Sequence, residues 1–329
     1  MPSGEDRLIA KYFKPLATAP GALALSDDAA FLTPPDGHDL VLTTDAIVSG
    51  IHFLPDDPPE TVARKALRVN LSDLAAKGAH PAGCLLTLAM PEGIGHGWLH
   101  PFASGLQSDC DLFSCPLYGG DTVRTDGPLW VSITAFGILP CGTMVKRSGA
   151  KPGDVVIITG TVGDGALGLR LLQDPNHIER WSLGDDEAAH LAGRYRVPQP
   201  RTAVADAVRT LASAAMDVSD GLAGDLAKLC EVSGVSARIE AARLPLSPAA
   251  AKALAAEPSL IEAIATGGDD YEILAAVPAG KVAAFHDQAR AASIPVTEIG
   301  EIAEGSEPPQ VIDANSKMLA FARSAFSHF

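Results

Sequence analysis

Features that mark a membrane protein, a disulfide-rich secreted protein or a zinc-thiolate protein are missing from this chain. No run among its 329 residues approaches the roughly 18 consecutive apolar residues of a membrane-spanning helix. The amino terminus lacks the basic and apolar segments of a targeting signal. The five cysteines are odd in number and include no C-x-x-C pair, which sets aside a disulfide framework and a zinc site. We therefore expect a cytoplasmic protein with reduced thiols and no membrane partner.

Positive charge is also scarce. The chain has 25 lysine and arginine residues against 40 aspartate and glutamate residues, which gives a formal net charge of −15. No run of basic residues interrupts this acidic excess, so a phosphate backbone would be repelled. We expect no nucleic acid partner.

The Walker pattern of P-loop nucleotide-binding proteins is absent from the sequence. Gly163, Gly165 and Gly168 do follow an apolar run, and acidic residues 185–187 come about twenty positions later, as in a dinucleotide-binding turn. Those acidic residues, however, stand at a predicted helix start. Two interpretations stay open: a glycine-rich strand-to-helix turn able to touch a phosphate, and the nicotinamide site of an oxidoreductase.

Apolar runs of strand length alternate with helical patterns along the chain, which predicts an α/β or mixed α+β fold with mixed sheets packed against helices. Strands are predicted at residues 40–45, 83–89, 116–119, 129–139, 155–159, 214–218 and 271–277. Helices are predicted at residues 60–78, 96–113, 164–172, 221–231 and 247–257, and residues 8–16 have helical spacing. The polar, turn-forming segment 146–154 is the best candidate for a connection between domains. We therefore predict two domains, residues 1–148 and 149–329.

Aspartates recur after serine, threonine or glycine near the ends of the apolar runs. They occur in six segments, at residues 26–28, 43–45, 71–73, 119–121, 217–221 and 267–270. A turn or a helix cap explains any one of them. Carboxylates and hydroxyls are also the hard oxygen ligands that Mg²⁺ prefers. If the segments converge, more than one divalent cation would offset their repulsion, which is typical of polyphosphate chemistry.

The order and spacing of these segments resemble the thiamine-monophosphate kinases, whose superfamily includes aminoimidazole ribonucleotide synthetase and selenophosphate synthetase. The resemblance covers essentially the whole chain. It rests on residues 27–30, 43–53, 65–79, 119–122, 146–154, 217–221 and 267–272. The stretches 69–73 and 267–272 are the most specific of these.

The resemblance implies ATP-dependent phosphorylation of thiamine monophosphate to thiamine diphosphate, in a two-domain aminoimidazole ribonucleotide synthetase-like fold. It also implies several Mg²⁺ ions and a homodimer formed through the amino-terminal half, with the nucleotide and metal site at that half. By position, it implies that the Mg²⁺ ligands are Asp28, Thr43, Thr44, Asp45, Asp73, Asp121, Asp217 and Asp220. It implies ATP contacts at Gly120, Asp121, Arg147 and Ser219, with Asp121 and Arg147 as the catalytic residues. The thiamine phosphate pocket is expected at His52, Asp269 and Phe326.

The residues suit this reaction. The second pKa of a phosphate monoester is about 6, so the acceptor is itself a nucleophile at neutral pH and needs no general base. Repulsion between two phosphates is the main obstacle, and bridging cations offset it. Three residues also have simpler interpretations: Arg147 as a solvated linker charge, His52 as a core histidine and Phe326 as a packed terminal side chain. Another ATP-dependent enzyme of the superfamily and a nucleotide-binding protein without turnover remain alternatives.

Overall fold

The computed structural model describes residues 4–322 and 325 and divides into two compact units. The first unit comprises the chain up to Leu74 together with Ala79–Gly142. The second comprises Ala75–Gly78 and the chain from Thr143 onward. The domain limits expected at residue 148 stay a prediction.

A four-stranded mixed sheet forms the centre of the first unit. Its elements are α1 (Gly4–Leu8), a π-helical turn (Ile9–Phe13), two 3-10 segments (Lys14–Leu16 and Pro20–Leu25), β1 (His38–Val48), α2 (Pro59–Ala76), β2 (His80–Met90), α3 (His96–Leu112), β3 (Leu117–Arg124) and β4 (Trp130–Pro140). The strand order is β1-β4-β2-β3. Within the described residues of this sheet, β2 and β3 pair in parallel and the other pairs are antiparallel.

One face of this sheet packs against helices and the other is open. Alternate strand residues such as Val41 and Ile133 are buried in one apolar core with Leu67 and Leu71, which are one helical turn apart on α2. The opposite face carries exposed leucines, of which Leu42 is 65% exposed. The first sheet therefore has one apolar face that helices cover and one that the unit itself leaves partly open.

A six-stranded sheet forms the centre of the second unit. Its strands are β5 (Asp154–Thr159), β6 (Ala214–Asp217), β7 (Ser236–Glu240), β8 (Ile273–Pro278), β9 (Val296–Ala303) and β10 (Gln310–Ile312), in the order β10-β7-β9-β5-β8-β6. Its helices are α4 (Asp164–Gln173), α5 (His177–Arg180), α6 (Asp185–Arg196), α7 (Ala205–Leu211), α8 (Leu222–Ser233), α9 (Pro248–Ala256), α10 (Leu260–Thr266) and α11 (Val282–Ala291), with 3-10 turns at Thr202–Val204, Ala241–Arg243 and Ala279–Lys281. Among the described strands of this unit, β10 and β7 pair in parallel and the other pairs are antiparallel.

Both faces of the second sheet are covered, and β5 shows this most directly. Val156 and Ile158 belong to one buried core, whereas Ile157 between them belongs to another. A strand that is buried on both sides needs apolar residues at every position, which explains its unbroken apolar sequence.

The α/β expectation is confirmed, and each predicted strand and helix is found with shifted ends. Two strands run further than predicted: β1 reaches Val48 and β3 reaches Arg124. Asp45 is therefore not the last residue of its strand, and Asp121 lies within a strand and not after it, because backbone pairing with β4 and β2 continues past both residues. No helix in the described part of the chain is long and apolar enough to cross a membrane.

Candidate active site

A cavity of about 810 Å³ in the first unit brings two of the predicted segments together. Asp27 and Asp28 line it from the segment before β1, and Gly120 and Asp121 line it from β3. Glu5 adds a fourth carboxylate, and none of the described residues that line the cavity is basic. Its aromatic side chains are Phe13, Phe31, Tyr118 and Phe136, and leucines such as Leu32 and Leu42 also line it. Such a cavity suits a ligand that has a flat apolar group and a polar part bound to cations.

Gly120 lies where β3 comes closest to β2. A Cβ atom at this position would stand 1.8 Å from the carbonyl oxygen of Leu86 and 2.8 Å from its carbonyl carbon. Both atoms belong to the backbone, so no side-chain rotation relieves the contact. Glycine at this position therefore allows β3 to present the neighbouring Asp121 at the cavity.

The double-aspartate segment is shaped by a tight left-handed turn. Residues 23–25 have φ values of 50°, 52° and 52°, a conformation that non-glycine residues rarely adopt. The Ser26 hydroxyl donates to the carbonyl oxygen of Leu23 at 2.6 Å. The backbone N–H of Asp28 donates to Asp27 Oδ1 at 2.8 Å. These local hydrogen bonds hold both aspartates at the surface, where they are exposed.

A second group of predicted residues lies along β1 and α2. The Thr43 hydroxyl donates a short hydrogen bond to Asp73 Oδ2. The backbone N–H of Asp45 donates to Asn70 Oδ1 at 3.0 Å. Asn70 and Asp73 are three residues apart on α2 and therefore share one helix face. Thr44 instead donates to a carbonyl oxygen of β4 at 3.3 Å, so this pairing of β1 with α2 does not include its side chain.

His52 is held in the turn that follows β1. The backbone N–H of Val48 donates to His52 Nδ1 at 3.0 Å, and Lys65 Nζ donates to the His52 carbonyl oxygen at 2.8 Å. Lys65 is 1% exposed, so this anchor is buried. Because Nδ1 accepts a hydrogen bond, the neutral imidazole carries its proton on Nε2 and acts as a donor there.

In the second unit, the loop between β6 and α8 is folded around one carboxylate. Asp225 Oδ2 accepts hydrogen bonds from the backbone N–H groups of Ser219, Asp220 and Gly221 at 3.0, 3.0 and 3.2 Å. Lys228 Nζ donates to Asp225 Oδ1 at 2.9 Å and to Asp220 Oδ2 at 2.5 Å. Burial raises the pKa of the Asp225 carboxyl in spite of these partners. Asp225 thus fixes the backbone that presents Ser219 and Asp220.

The two aspartates of the segment 267–272 face different surroundings. The backbone N–H of Asp269 donates to the Ser219 carbonyl oxygen at 2.9 Å, which joins this segment to the β6–α8 loop. Asp270 is fully buried and accepts from the N–H groups of Gly163 and Gly165 at 2.7 and 3.2 Å. Burial raises the pKa of the Asp270 carboxyl well above its ordinary value. The start of α4 is therefore a strand-to-helix turn that holds a carboxylate of its own unit.

A buried ionic network anchors the end of the same segment. Glu272 is fully buried and accepts from Arg194 Nη2 at 2.9 Å, Arg201 Nε at 2.6 Å and the Thr159 hydroxyl at 2.8 Å. Arg194 Nη2 also donates to the Asp270 carbonyl oxygen at 3.0 Å. Asp269 is thus followed by backbone that buried groups hold in place.

The remaining predicted residues are placed as follows. Arg147 is exposed in the segment before β5, and its carbonyl oxygen accepts from Ser233 Oγ at 3.4 Å. Asp217 is the last residue of β6 and is buried. Phe326 lies outside the described residues, so its expected place in the substrate pocket stays a prediction. Over residues 4–322 and 325, no group of three or more His, Cys, Asp or Glu side chains is arranged to hold a metal ion. The expected Mg²⁺ ligand set also stays a prediction.

Sequence reasoning missed the residues that support this site. The role of Asp225 could have been predicted from its position, because a carboxylate in the first turn of a helix reaches back to the preceding N–H groups. Arg194 and Arg201 had no signal in the local sequence, since they lie 78 and 71 residues from Glu272, respectively. Lys228 is three residues after Asp225 on α8, a spacing that predicts an ion pair only once Asp225 is recognised.

Both halves of the chain match one set of related domains. Residues 26–139 match the family described as AIR synthase related protein, N-terminal domain. Residues 151–309 match AIR synthase related protein, C-terminal domain. A thiamine-monophosphate kinase of Caulobacter vibrioides is 46% identical over 308 residues, which cover 92% of this chain and 85% of that protein.

The chain is also similar in structure to solved thiamine-monophosphate kinases. The crystal structure of thiamine-monophosphate kinase from Stenotrophomonas maltophilia K279a has a TM-score of 0.82 and 36% identity, and the match covers 95% of this chain and 96% of that one. The structure of AaThiL complexed with AMPPCP and TMP has a TM-score of 0.78 and 30% identity, and the match covers 92% of this chain and 91% of that one.

Proposed function

This chain belongs to the AIR synthase related proteins and, within them, to the thiamine-monophosphate kinases, and we propose that it transfers the γ-phosphoryl group of ATP to thiamine monophosphate to give thiamine diphosphate. The observation that carries the proposal is 46% identity, over 92% of the chain, to a relative with that name. The complex of AaThiL with AMPPCP and TMP, at 30% identity, supports the pair of substrates.

The chemistry asks the protein for positioning and for charge compensation. The acceptor is a phosphate whose second pKa is about 6, so it needs no side chain to remove a proton. It must approach the terminal phosphate of ATP in line with the leaving oxygen, and both partners are anionic. We therefore propose direct in-line transfer with no general base, in which Asp121 and Arg147 are the catalytic residues.

Several Mg²⁺ ions complete this proposal, and the first-unit cavity fits them. Four carboxylates line the cavity, and they would repel a polyphosphate unless cations lay between them. Carboxylate and hydroxyl oxygens are also the donors that Mg²⁺ prefers. When bound, the ions would neutralise phosphate charge and stabilise the transition state. The proposed ligands are Asp28, Thr43, Thr44, Asp45, Asp73, Asp121, Asp217 and Asp220.

Residues of the first unit have distinct proposed roles. Gly120 and Asp121 contact ATP and its metal, since they line the cavity on β3. Asp28 lines the same cavity from the double-aspartate segment. His52 donates from Nε2 to the thiamine phosphate, a role that its neutral tautomer allows.

Three described residues of the second unit, Arg147, Ser219 and Asp269, are exposed or half-buried. Ser219 contacts ATP from the loop that Asp225 fixes. Arg147 is exposed, and its guanidinium suits bidentate binding of a phosphate. Asp269 contacts the thiamine phosphate from the segment joined to Ser219, and Phe326 is proposed to pack on the thiamine ring.

We also propose a homodimer that acts in the cytoplasm. The open face of the first sheet carries the exposed side chains of Leu40, Leu42 and Leu85, which a second copy would remove from water. The five cysteines are free, as in a reducing compartment. A monomer in sedimentation at micromolar concentration would contradict the dimer.

The test of the function is product formation. The purified chain is incubated with thiamine monophosphate, ATP and Mg²⁺, and the products are separated by chromatography with a metal-free control. We expect thiamine diphosphate only when metal is present. Release of ADP without thiamine diphosphate would point to another acceptor within the family, and an absence of ATP consumption would contradict the kinase assignment.

The role of Asp121 is tested with a matched pair of variants. Asp121→Asn removes one carboxylate from the cavity and is expected to weaken binding of Mg²⁺·ATP by about tenfold or more, because a charged ligand is lost. Asp126→Asn makes the same charge change at an exposed residue after β3 and is the control. Equal nucleotide affinity in the two variants, measured by calorimetric titration, would contradict the proposed site.

A further inference from the structure

Lys228 lies between two carboxylates that have different tasks. Its Nζ atom is 2.9 Å from Asp225 Oδ1 and 2.5 Å from Asp220 Oδ2. The Asp225 side chain is fully buried, whereas those of Asp220 and Lys228 are 37% and 39% exposed. One ammonium group therefore bridges a carboxylate that holds the loop and a carboxylate that solvent and ligands can reach.

The Lys228 ammonium occupies an oxygen that a metal ion would need. Asp220 is one of the proposed Mg²⁺ ligands, and its Oδ2 atom already accepts a charge-assisted hydrogen bond. A divalent cation that binds Asp220 must displace Nζ from this oxygen or bind the carboxylate beside it, and in both cases it must approach a positive charge. The same contact lowers the negative charge that Asp220 presents to a cation.

Lys228 can release Asp220 without losing its own ionic partner. Its second hydrogen bond runs to Asp225 Oδ1, a buried acceptor on the same helix. Asp225 in turn keeps the loop folded through three backbone N–H groups that do not involve Lys228. The bridge can therefore open at Asp220 while the loop around Asp225 stays intact.

We propose that Lys228 is a positioning residue that competes with divalent cations for Asp220 and thereby lowers the affinity of the second unit for metal ions. The proposal rests on the proposed function, because that function makes Asp220 a metal ligand. It predicts that removal of the Lys228 charge increases the affinity for metal. A residue that only stabilises the loop would have the opposite effect, since its loss would loosen the ligand.

The expected size follows from the charge that is removed. Loss of one positive charge a few ångströms from a divalent cation, at a half-exposed position and moderate salt, lowers the dissociation constant by about tenfold. The effect should shrink as ionic strength rises, because both charges are partly exposed to solvent.

The experiment measures binding of Mn²⁺ to the full chain in the presence of AMPPCP, from the loss of the free-ion signal in electron paramagnetic resonance beyond the loss that AMPPCP causes without protein. Lys228→Met removes the charge and keeps most of the side-chain volume, and Lys228→Arg keeps the charge. Lys252→Met is the control, because Lys252 forms a surface ion pair with Glu187 at 2.8 Å in the same unit. We expect about tenfold tighter binding for Lys228→Met, and values within about twofold of the unmodified chain for the other two.

The outcomes separate this inference from the function on which it rests. Equal or weaker Mn²⁺ binding by Lys228→Met, at an unchanged unfolding temperature, would overturn the role of Lys228 alone. An absence of Mn²⁺ binding in the unmodified chain would overturn the proposed metal site as well. If Lys228→Met does not fold, Lys228→Gln is measured in its place, because its amide is an uncharged hydrogen-bond donor, and the same comparison decides.

Discussion

Replacement of Gly120 by alanine should damage both the fold of the first unit and its cavity. The new Cβ atom would lie 1.8 Å from the Leu86 carbonyl oxygen. Non-bonded carbon and oxygen atoms need about 3.5 Å, so β3 must move by more than about 1 Å away from β2. Overpacking of this kind costs about 1–3 kcal/mol, and a clash with backbone falls at the upper end of that range.

The neighbouring glycine provides the control. A Cβ atom at Gly119 would meet only Leu85 Cδ2, at 3.4 Å, the end of a flexible side chain. We therefore expect Gly119→Ala to lower the free energy of unfolding by less than about 1 kcal/mol and Gly120→Ala to lower it by about 3 kcal/mol. In thermal unfolding followed by circular dichroism, that is a decrease in Tm of about 6–12 °C for Gly120→Ala.

Binding of Mg²⁺·ATP distinguishes a local effect from a general one. Because Gly120 lines the cavity, its variant should lose nucleotide affinity even at a temperature where it is fully folded. Gly119→Ala also serves as the reference for this titration. If Gly120→Ala unfolds within about 2 °C of Gly119→Ala, the close approach of β3 to β2 is refuted.

Substitutions at three further residues test other parts of the structure. Asp109→Ala leaves the buried guanidinium of Arg68 without its carboxylate and should cost about 3–5 kcal/mol in urea unfolding; a loss under about 1 kcal/mol would show that the pair is not buried. Asp270→Asn should cost about 1–2 kcal/mol, because its amide keeps one acceptor oxygen for the two N–H groups that donate to separate oxygens of Asp270, whereas Asp270→Ala leaves both N–H groups without an acceptor and should cost about 2–4 kcal/mol; equal losses would contradict this role. Burial opposes ionisation of Asp164, but hydrogen bonds from His190 and two hydroxyl groups outweigh this effect and lower the pKa of the carboxyl. The ionised carboxylate therefore stabilises the fold above the unfolded pKa of about 3.9, and this stabilisation is lost as pH falls through the folded pKa. The stability difference between the unmodified chain and Asp164→Asn should therefore shrink between pH 7 and pH 3 in urea titrations, and a constant difference would refute the shift.

The elements of the fold could be predicted because each is encoded by local pattern. The run of four apolar β-branched residues at 155–158 is buried on both faces, and no helical alternative suits such a run. The ends of β1 and β3 could not be predicted, because polar residues such as Asp45 and Asp121 stay in a strand when a neighbouring strand pairs with them. Long-range pairing decides where such strands end.

The site was predictable only as a set of segments. Asp269 and Asp270 are adjacent and chemically identical, so the sequence offers no reason to assign one to a buried cap and the other to the loop surface. The backbone decides: Asp269 has a left-handed φ of 71°, and the next side chain turns to the start of α4. The arginines that anchor Glu272 are set by tertiary packing and have no local signature.

The measurement that tests the central claim most directly is ³¹P nuclear magnetic resonance of the full chain with ATP, thiamine monophosphate and Mg²⁺. If the chain transfers the γ-phosphoryl group, we expect the γ-phosphate signal of ATP and the signal of thiamine monophosphate to fall together while the signals of ADP and the two coupled signals of thiamine diphosphate rise. Appearance of inorganic phosphate in place of the coupled signals, or an unchanged spectrum, would contradict phosphoryl transfer to thiamine monophosphate.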